Sequence, residues 1–361
     1  ARTTPSVISL GQGIPSEQMH PKLQDAAIKA TVYGMADAYS DPQGIIELRT
    51  AIARQTATEH LHYSADEIIV TVGAIEAVNV ALRSVITASK KSVIIPTPTY
   101  SAYFKLTELA GGVVIPHETN VDDNWALDIE RITQQITDDT AAILLSSPNN
   151  PTGTVYDRAT LRRLAQVAKD AGIALIIDEV YRHMTFDIEF YSPAEDSEFK
   201  DTVIRIMSLS KDFNMTGWRV GYIQAAPQRI EQLVSIHDSL VNCAPVVSQY
   251  VAVAAMTHAE MLLERNKRAL IKRRDHMATW LDQLTDVLEY RLPDAGYFFF
   301  ARIKTDIDSM TYARKLAEHG VIVIPGAAFG ESGEGHVRIC FGRSLEAIDG
   351  GMERILKFSG K

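Results

Sequence analysis

The sequence 203-VIRIMSLSKDFNMTGWRVGYIQA-225 contains two apolar runs, 203–207 and 220–225, and each of them predicts a buried strand. The connection between the runs is too short for a helical crossover, so we expect the two strands to pair antiparallel. This connection carries Lys211 and, eight residues later, Arg219. Lysine is among the side chains least often buried. A lysine at the end of a core strand, followed by an arginine, therefore indicates a functional site.

Further apolar runs precede this stretch and alternate with segments of helical period. Most are apolar at consecutive positions, which is typical of strands buried on both faces. The alternation predicts an α/β fold in which a large domain, residues 39–265, holds a mostly parallel seven-stranded sheet between helices. The runs are IIVTV (68–72), SVIIP (92–96), GVVIP (112–116), AAILLSS (141–147) and IALIID (173–178), and helical patterns at 74–86 and 158–172 separate some of them.

The pattern changes after about residue 227, where helical segments lead into shorter strand candidates. We interpret residues 1–38 and 266–361 as a smaller α+β domain that a long helix joins to the large domain. The predicted helices are 227–242, 247–288 and 344–357, and the predicted strands are 287–292, 297–303, 321–325 and 336–340.

Composition narrows the class of protein. The chain has 361 residues, is 46% hydrophobic and carries a net charge of −9 without a long basic run, which argues against a nucleic-acid partner. No apolar stretch reaches the ~18 residues of a membrane span, so no membrane association is expected. Two cysteines fit a reducing compartment, and we expect a cytoplasmic protein. The histidines of 59-EHLH-62 do not share a helix face, so no metal site is predicted.

The residues around Lys211 could support a reaction of its amine. A lysine desolvated near other cations has a lowered pKa and can form a Schiff base with an aldehyde. A pyridoxal phosphate site would also need a phosphate cradle, which residues 73–75 offer where a strand gives way to a helix. Ser208, Ser210 and Arg219 can add donors to the same phosphate.

The remaining parts of such a site also follow predicted strands. Asp178 ends a buried strand and could hold a pyridine nitrogen, and the hydroxyl of Tyr181 could reach the ring oxygen. Asn150 offers an amide to the same oxygen, and Tyr100 could lie on the ring face. Because ligands of open α/β sheets bind outside the carboxyl ends of strands, these segments are expected to converge.

These motifs together resemble the class I/II aminotransferases of the fold-type I pyridoxal phosphate family, the aspartate aminotransferase-like enzymes. The resemblance runs nearly end to end, and the SxSK…GWR block is its most specific part. The matching motifs are LGQGIP (10–15), YSDPQGIIELR (39–49), TVGA (71–74), PTPTY (96–100), NNPTG (149–153), DEVY (178–181), SLSKDFNMTGWRVGY (208–222) and HVRICFG (336–342).

The resemblance implies a role for each residue. Lys211, Asp178 and Tyr181 would be catalytic, with Lys211 forming the Schiff base and moving the proton. Arg338 would clamp the substrate's α-carboxylate, helped by Asn150 and the backbone of Gly13. Tyr39 would reach the phosphate bound by a neighbouring subunit, so the resemblance implies a homodimer with shared active sites. The implied cofactor-binding residues are Gly73, Ala74, Ile75, Tyr100, Asn150, Asp178, Val180, Tyr181, Ser208, Ser210, Lys211, Arg219 and Tyr39.

The implied activity is ping-pong transfer of an amino group from an L-amino acid to a 2-oxo acid, with 2-oxoglutarate as the expected acceptor. A pyridoxal phosphate lyase or synthase, such as a C–S lyase or a ring-forming enzyme, would use the same residues. A ligand-sensing module without catalysis is a further alternative, but it would need a DNA-binding segment ahead of residue 9.

The sequence favours a neutral or aromatic amino acid as the donor. The resemblance implies that Ile75 occupies one position where a lysine can bind a distal carboxylate, and the segment 178-DEVYRHM-184 places Arg182 and His183 nearby instead. Ile14 and the run 295–303 predict an apolar wall.

Overall fold

The computed structural model describes residues 7–360, so residues 1–6 and 361 of the predicted small domain lie outside the described part. The strands are β1 (Ile8–Ser9), β2 (Ile68–Thr71), β3 (Ser92–Thr97), β4 (Val113–Glu118), β5 (Thr140–Ser146), β6 (Ala174–Asp178), β7 (Val203–Ser208), β8 (Gly221–Gln224), β9 (Leu288–Glu289), β10 (Phe298–Ile303), β11 (Val321–Ile322), β12 (Ile324–Pro325) and β13 (His336–Cys340). The α-helices are α1 (Pro21–Val32), α2 (Ile46–Ala57), α3 (Ala74–Val85), α4 (Ala102–Leu109), α5 (Ile129–Gln135), α6 (Arg158–Asp170), α7 (Leu209–Asp212), α8 (Pro227–Val241), α9 (Val246–Thr257), α10 (Ala259–Leu281), α11 (Ser309–Glu318) and α12 (Leu345–Phe358).

The large sheet has seven strands in the order β2-β8-β7-β6-β5-β3-β4. Strand β8 runs antiparallel to both of its neighbours, and the other pairs are parallel. The prediction that the strands flanking Lys211 pair antiparallel is confirmed, with Met207 opposite Tyr222. The mostly parallel seven-stranded sheet of an α/β fold is confirmed as well.

Consecutive apolar residues are needed because both faces of this sheet are buried. In β6, Leu175 and Ile177 pack into one hydrophobic cluster, whereas Ile176 packs into another on the opposite face. Leu164 of α6 covers the first face, and Val80 of α3 covers the second. Side chains of a strand alternate between faces, so a strand buried on both sides has no polar face in its sequence.

The second, smaller sheet has the order β12-β13-β10-β9 and is antiparallel, and β1 pairs separately with β11. The predicted strand 321–325 divides at Val323, since β11 and β12 belong to different sheets. The predicted strand 287–292 shortens to β9. The N-terminal β1 was not anticipated; it lies beside the small sheet, whereas Leu23 of α1 packs into the core of the large sheet. The boundaries at 38/39 and 265/266 stay a prediction.

The helix predicted over 247–288 is two helices, α9 and α10, that meet at His258 with a bend of 84°. The bend lets the two helices bury different cores: Val251 of α9 packs under the large sheet, and Met277 of α10 packs under the small one. Within residues 7–360, no single helix is long and apolar enough to cross a membrane, and Val246–Thr257 with Ala259–Leu284 meets those criteria only as a bent pair.

Candidate active site

A cavity of about 320 Å³ opens at the carboxyl ends of the parallel strands, against the small sheet. Strands β2, β3, β5, β6 and β7 all point towards it, which is the expected ligand site of an open α/β sheet. Every predicted site residue except Gly73 and Tyr39 lines this cavity, namely Gly13, Ala74, Ile75, Tyr100, Asn150, Asp178, Val180, Tyr181, Ser208, Ser210, Lys211, Arg219 and Arg338.

Asp178, the last residue of β6, is only 4% exposed at the floor of the cavity. One carboxylate oxygen accepts a hydrogen bond from the Tyr103 hydroxyl at 2.8 Å, and the other accepts the Val180 backbone N–H at 3.0 Å. Burial raises the pKa of Asp178 to about 6, although both hydrogen bonds act to lower it. Both donors are neutral, so this buried carboxylate is suited to a ligand that brings a positively charged N–H.

Lys211 lies in α7, the short helix that follows β7, and its amine donates a hydrogen bond to the backbone carbonyl of Gly13. Burial lowers the pKa of Lys211 to about 8, and the positive charges of Arg338 and Arg219 act in the same direction. The absence of a side chain at Gly13 lets the Phe298 ring pack against this backbone, because a Cβ there would lie 2.6 Å from the ring. The amine can therefore lose its proton near neutral pH and act as a nucleophile or base.

The turn between β2 and α3 forms a cradle for an anion. The residue before α3 is Gly73, which has no side chain to cap the helix N-terminus and has a φ of 77°. A Cβ on Gly73 would lie 2.4 Å from the guanidinium of Arg219, so the glycine lets the arginine close over the turn. Arg219 donates to the carbonyls of Thr216 at 2.9 Å and Val72 at 3.3 Å. Free N–H groups of a helix N-terminus beside an arginine are suited to a phosphate.

Arg338 of β13 reaches the cavity from the small sheet and is 7% exposed. It donates to the side-chain oxygen of Asn150 at 2.7 Å and to the carbonyl of Gly11 at 2.6 Å, and its guanidinium lies 4.1 Å from the centre of the Phe298 ring. Its buried Nε has no hydrogen-bond partner within residues 7–360. A buried guanidinium whose partners are neutral is suited to a carboxylate-bearing ligand.

Tyr103 and Leu106 are among the lining residues that were missed from the sequence, whereas Phe298 lies in the run 295–303 that was expected to form an apolar wall. Tyr103 had a usable signal, because it follows Tyr100 by three residues in the turn that leads into α4, and their rings meet edge to face with centroids 5.7 Å apart. The hydrogen bond from the Tyr103 hydroxyl to Asp178 had no signal in the sequence, since the two residues lie 75 positions apart.

Three other residues named from the sequence do not line the cavity of their own chain. Tyr39 is 82% exposed on the surface. Arg182 pairs with Glu59 at 3.0 Å, and His183 bridges Glu59 and Asp212 at 3.0 and 2.7 Å. Both basic side chains are thus held in ion pairs outside the cavity and are unavailable to a substrate there.

The fold and site define a class: a fold-type I enzyme with an amine, a buried acid and an anion cradle placed for pyridoxal phosphate. Residues 5–355 match the family described as aminotransferase class I and II, and the chain belongs to that family. It is therefore a pyridoxal phosphate-dependent aminotransferase.

Relatives span nearly the whole chain. It is 34% identical to a probable aspartate aminotransferase of Methanocaldococcus jannaschii, over 96% of this chain and 92% of the relative. The structure resembles aspartate aminotransferase of Thermus thermophilus with maleate (TM-score 0.91, 30% identity, 97% and 91% of the two chains). It also resembles an aromatic aminotransferase of Pyrococcus horikoshii OT3 (TM-score 0.92, 30% identity, 99% and 98%). These names support amino-group transfer and do not favour a lyase or synthase.

Proposed function

We propose that this aminotransferase prefers a neutral or aromatic L-amino acid as donor. The observation that supports this preference is the cavity wall formed by Ile14, Ile75, Leu106 and Phe298. Among the described lining residues the basic side chains are Lys211, Arg219 and Arg338, and each already has a role at the cofactor or the α-carboxylate. An apolar side chain would fill this wall, whereas a distal carboxylate would be buried without a cation.

The residues present fit pyridoxal phosphate, which when bound supplies an electron-withdrawing ring for the substrate's Cα. Asp178 would hold the ring nitrogen, with Tyr103 keeping the carboxylate oriented. Residues 73–75 with Ser208, Ser210 and Arg219 would hold the phosphate. Tyr181 and Asn150 would donate to the ring oxygen, and Tyr100 and Val180 would cover the two ring faces.

Arg338 and Lys211 would then have separate roles at the substrate. Arg338 binds the α-carboxylate and fixes which substituent of Cα faces Lys211. The Lys211 amine, with its pKa of about 8, would take the Cα proton and deliver it to the cofactor carbon that receives the amino group. We propose 2-oxoglutarate as the acceptor, as the resemblance to aspartate aminotransferase-like enzymes implies, and it would bind the same Arg338 in the second half-reaction.

A donor panel tests the substrate proposal. With 2-oxoglutarate as acceptor, kcat/KM should be higher for phenylalanine or leucine than for aspartate. Ile75→Lys should raise kcat/KM for aspartate and lower that for phenylalanine, whereas Met310→Lys, at an exposed residue of α11, should change neither. A wild-type enzyme that prefers aspartate by about tenfold or more, a difference of ~1.4 kcal/mol, would contradict the proposal.

We also propose a homodimer with shared active sites. Ile28, Val32, Tyr33 and Tyr39 are 60–82% exposed along one segment, and an apolar surface of this kind is typical of a subunit interface. The exposed Tyr39 would be free to reach the partner's phosphate. Sedimentation should give a dimer mass, Val32→Glu should shift it towards the monomer, and Tyr39→Phe should weaken cofactor binding. A monomeric wild type with a full complement of bound cofactor would refute the proposal.

We propose a cytoplasmic location. The support is that Cys243 and Cys340 are both free thiols, which suits a reducing compartment. Fractionation of source cells with an antibody against the protein would test it, and recovery outside the cytoplasmic fraction would overturn it.

A further inference from the structure

Glu76, whose side chain is 12% exposed, and the fully buried His237 form a pair directly behind the phosphate cradle. Glu76 lies in the first turn of α3, and one of its carboxylate oxygens accepts the backbone N–H of Val72 at 3.1 Å. The other oxygen accepts from Nδ1 of His237 at 3.0 Å. His237 projects from α8 and is fully buried, and its Nε2 has no hydrogen-bond partner within residues 7–360.

Charged side chains bind both the backbone N–H and the backbone carbonyl of Val72. Glu76 accepts the N–H of this residue, and Arg219 donates to its carbonyl at 3.3 Å. The next residue is Gly73, whose positive φ sets the direction of the first turn of α3, and its carbonyl accepts a hydrogen bond from the Thr71 hydroxyl at 3.2 Å. The turn at residues 72–74 is therefore fixed before any anion binds.

A carboxylate in the first turn of a helix normally competes for the positive end of the helix dipole. Glu76 does not cap its own helix, because its oxygens are turned back to Val72 and His237. The N–H groups at the start of α3 thus stay available to an anion, while the carboxylate itself is tied to two donors. This arrangement explains why an acid can lie directly after the phosphate cradle at residues 73–75.

We propose that Glu76 and His237 are positioning residues that hold the turn at residues 72–74 in the shape that binds the cofactor's phosphate. This inference rests on the proposed function, in that residues 73–75 are taken as the phosphate cradle. Neither residue lines the cavity, so both act through the backbone of Val72.

The test compares pyridoxal phosphate with pyridoxal, which lacks the phosphate. Dissociation constants of both compounds are measured for the apo-enzyme by fluorescence titration. Glu76→Ala should weaken pyridoxal phosphate binding about tenfold, in line with the loss of a hydrogen bond to a charged group. It should leave pyridoxal binding unchanged. His237→Leu should act in the same direction.

Glu76→Gln keeps an acceptor for the Val72 N–H and should bind both compounds as the wild type does. Glu346→Ala makes the same truncation in the first turn of α12 and should have no effect. The inference is overturned if Glu76→Ala binds pyridoxal phosphate like the wild type, or loses affinity for both compounds by the same factor, which is the signature of a general folding defect. A wild type that binds both compounds equally would instead refute the phosphate cradle itself, and the inference with it.

Discussion

The depressed pKa of Lys211 should be measurable as a pH dependence of stability in the apo-enzyme. Burial lowers the pKa of this amine from 10.5 to about 8. Between these two values the unfolded chain binds more protons than the folded chain at this residue. The free energy of unfolding should therefore rise as the pH increases from 8 to 10.5.

The size of the effect follows from the same two pKa values. At 1.36 kcal/mol for each pKa unit, the gap corresponds to about 3 kcal/mol, and solvent contact of the partly exposed side chain reduces it to about 2 kcal/mol. Lys211→Met removes the titrating amine and keeps a chain of similar length. Other groups titrate in both proteins, so the difference between the two stability curves isolates Lys211.

Urea unfolding of the two apo-proteins, at equal concentration and at pH 7.5, 9 and 10.5, provides the measurement. The wild type should gain about 2 kcal/mol relative to Lys211→Met across this range. Parallel curves would show that the folded protein does not depress the pKa of this lysine. A wild type that loses stability relative to the variant would show a shift in the opposite direction, and either result would refute the reasoning.

Three further changes test the rest of the site. Asp178→Asn should lower kcat by about 100-fold, because removing one partner of a buried ion pair costs about 3 kcal/mol; steady-state turnover within a few-fold of the wild type would exclude the proposed contact with the ring nitrogen. Arg338→Lys should raise KM for both substrates about tenfold or more with little change in cofactor affinity, since lysine lacks the planar fork that binds a carboxylate; an unchanged KM would place the α-carboxylate elsewhere. Tyr103→Phe removes a hydrogen bond that lowers the pKa of Asp178, so that pKa should rise above about 6 in the apo-enzyme. The window in which rising pH reduces stability should then extend upwards, and pH-dependent unfolding that matches the wild type would argue against this role.

The sequence predicts those features whose physical cause is local. Runs such as 174–178 are apolar at every position until Asp178, so both the buried strand and the polar residue at its end are visible in the sequence. The short connection between β7 and β8 likewise allows only an antiparallel pair. These local signals bring Lys211 and Asp178 to the same edge of the sheet.

Features that depend on distant partners could not be predicted in this way. Arg182 and His183 seemed free to face a substrate, but Glu59, more than 120 residues earlier, pairs with both. Burial lowers the pKa of His183, yet Asp212 and Glu59 outweigh it and raise the pKa to about 9. The apolar run 321–325 likewise carries no signal that its two halves join different sheets.

The large sheet would bind the cofactor, and the small sheet would bind the substrate's α-carboxylate. Lys211 and Arg219 both lie in the connection between β7 and β8, so the cofactor's aldehyde end and its phosphate end would be bound by the same segment of the large sheet. Arg338 belongs to the other sheet. A movement of the small sheet relative to the large one would separate Arg338 from the product's α-carboxylate. Arg219 and residues 73–75 would still hold the cofactor's phosphate, so the product could leave while the cofactor stays bound.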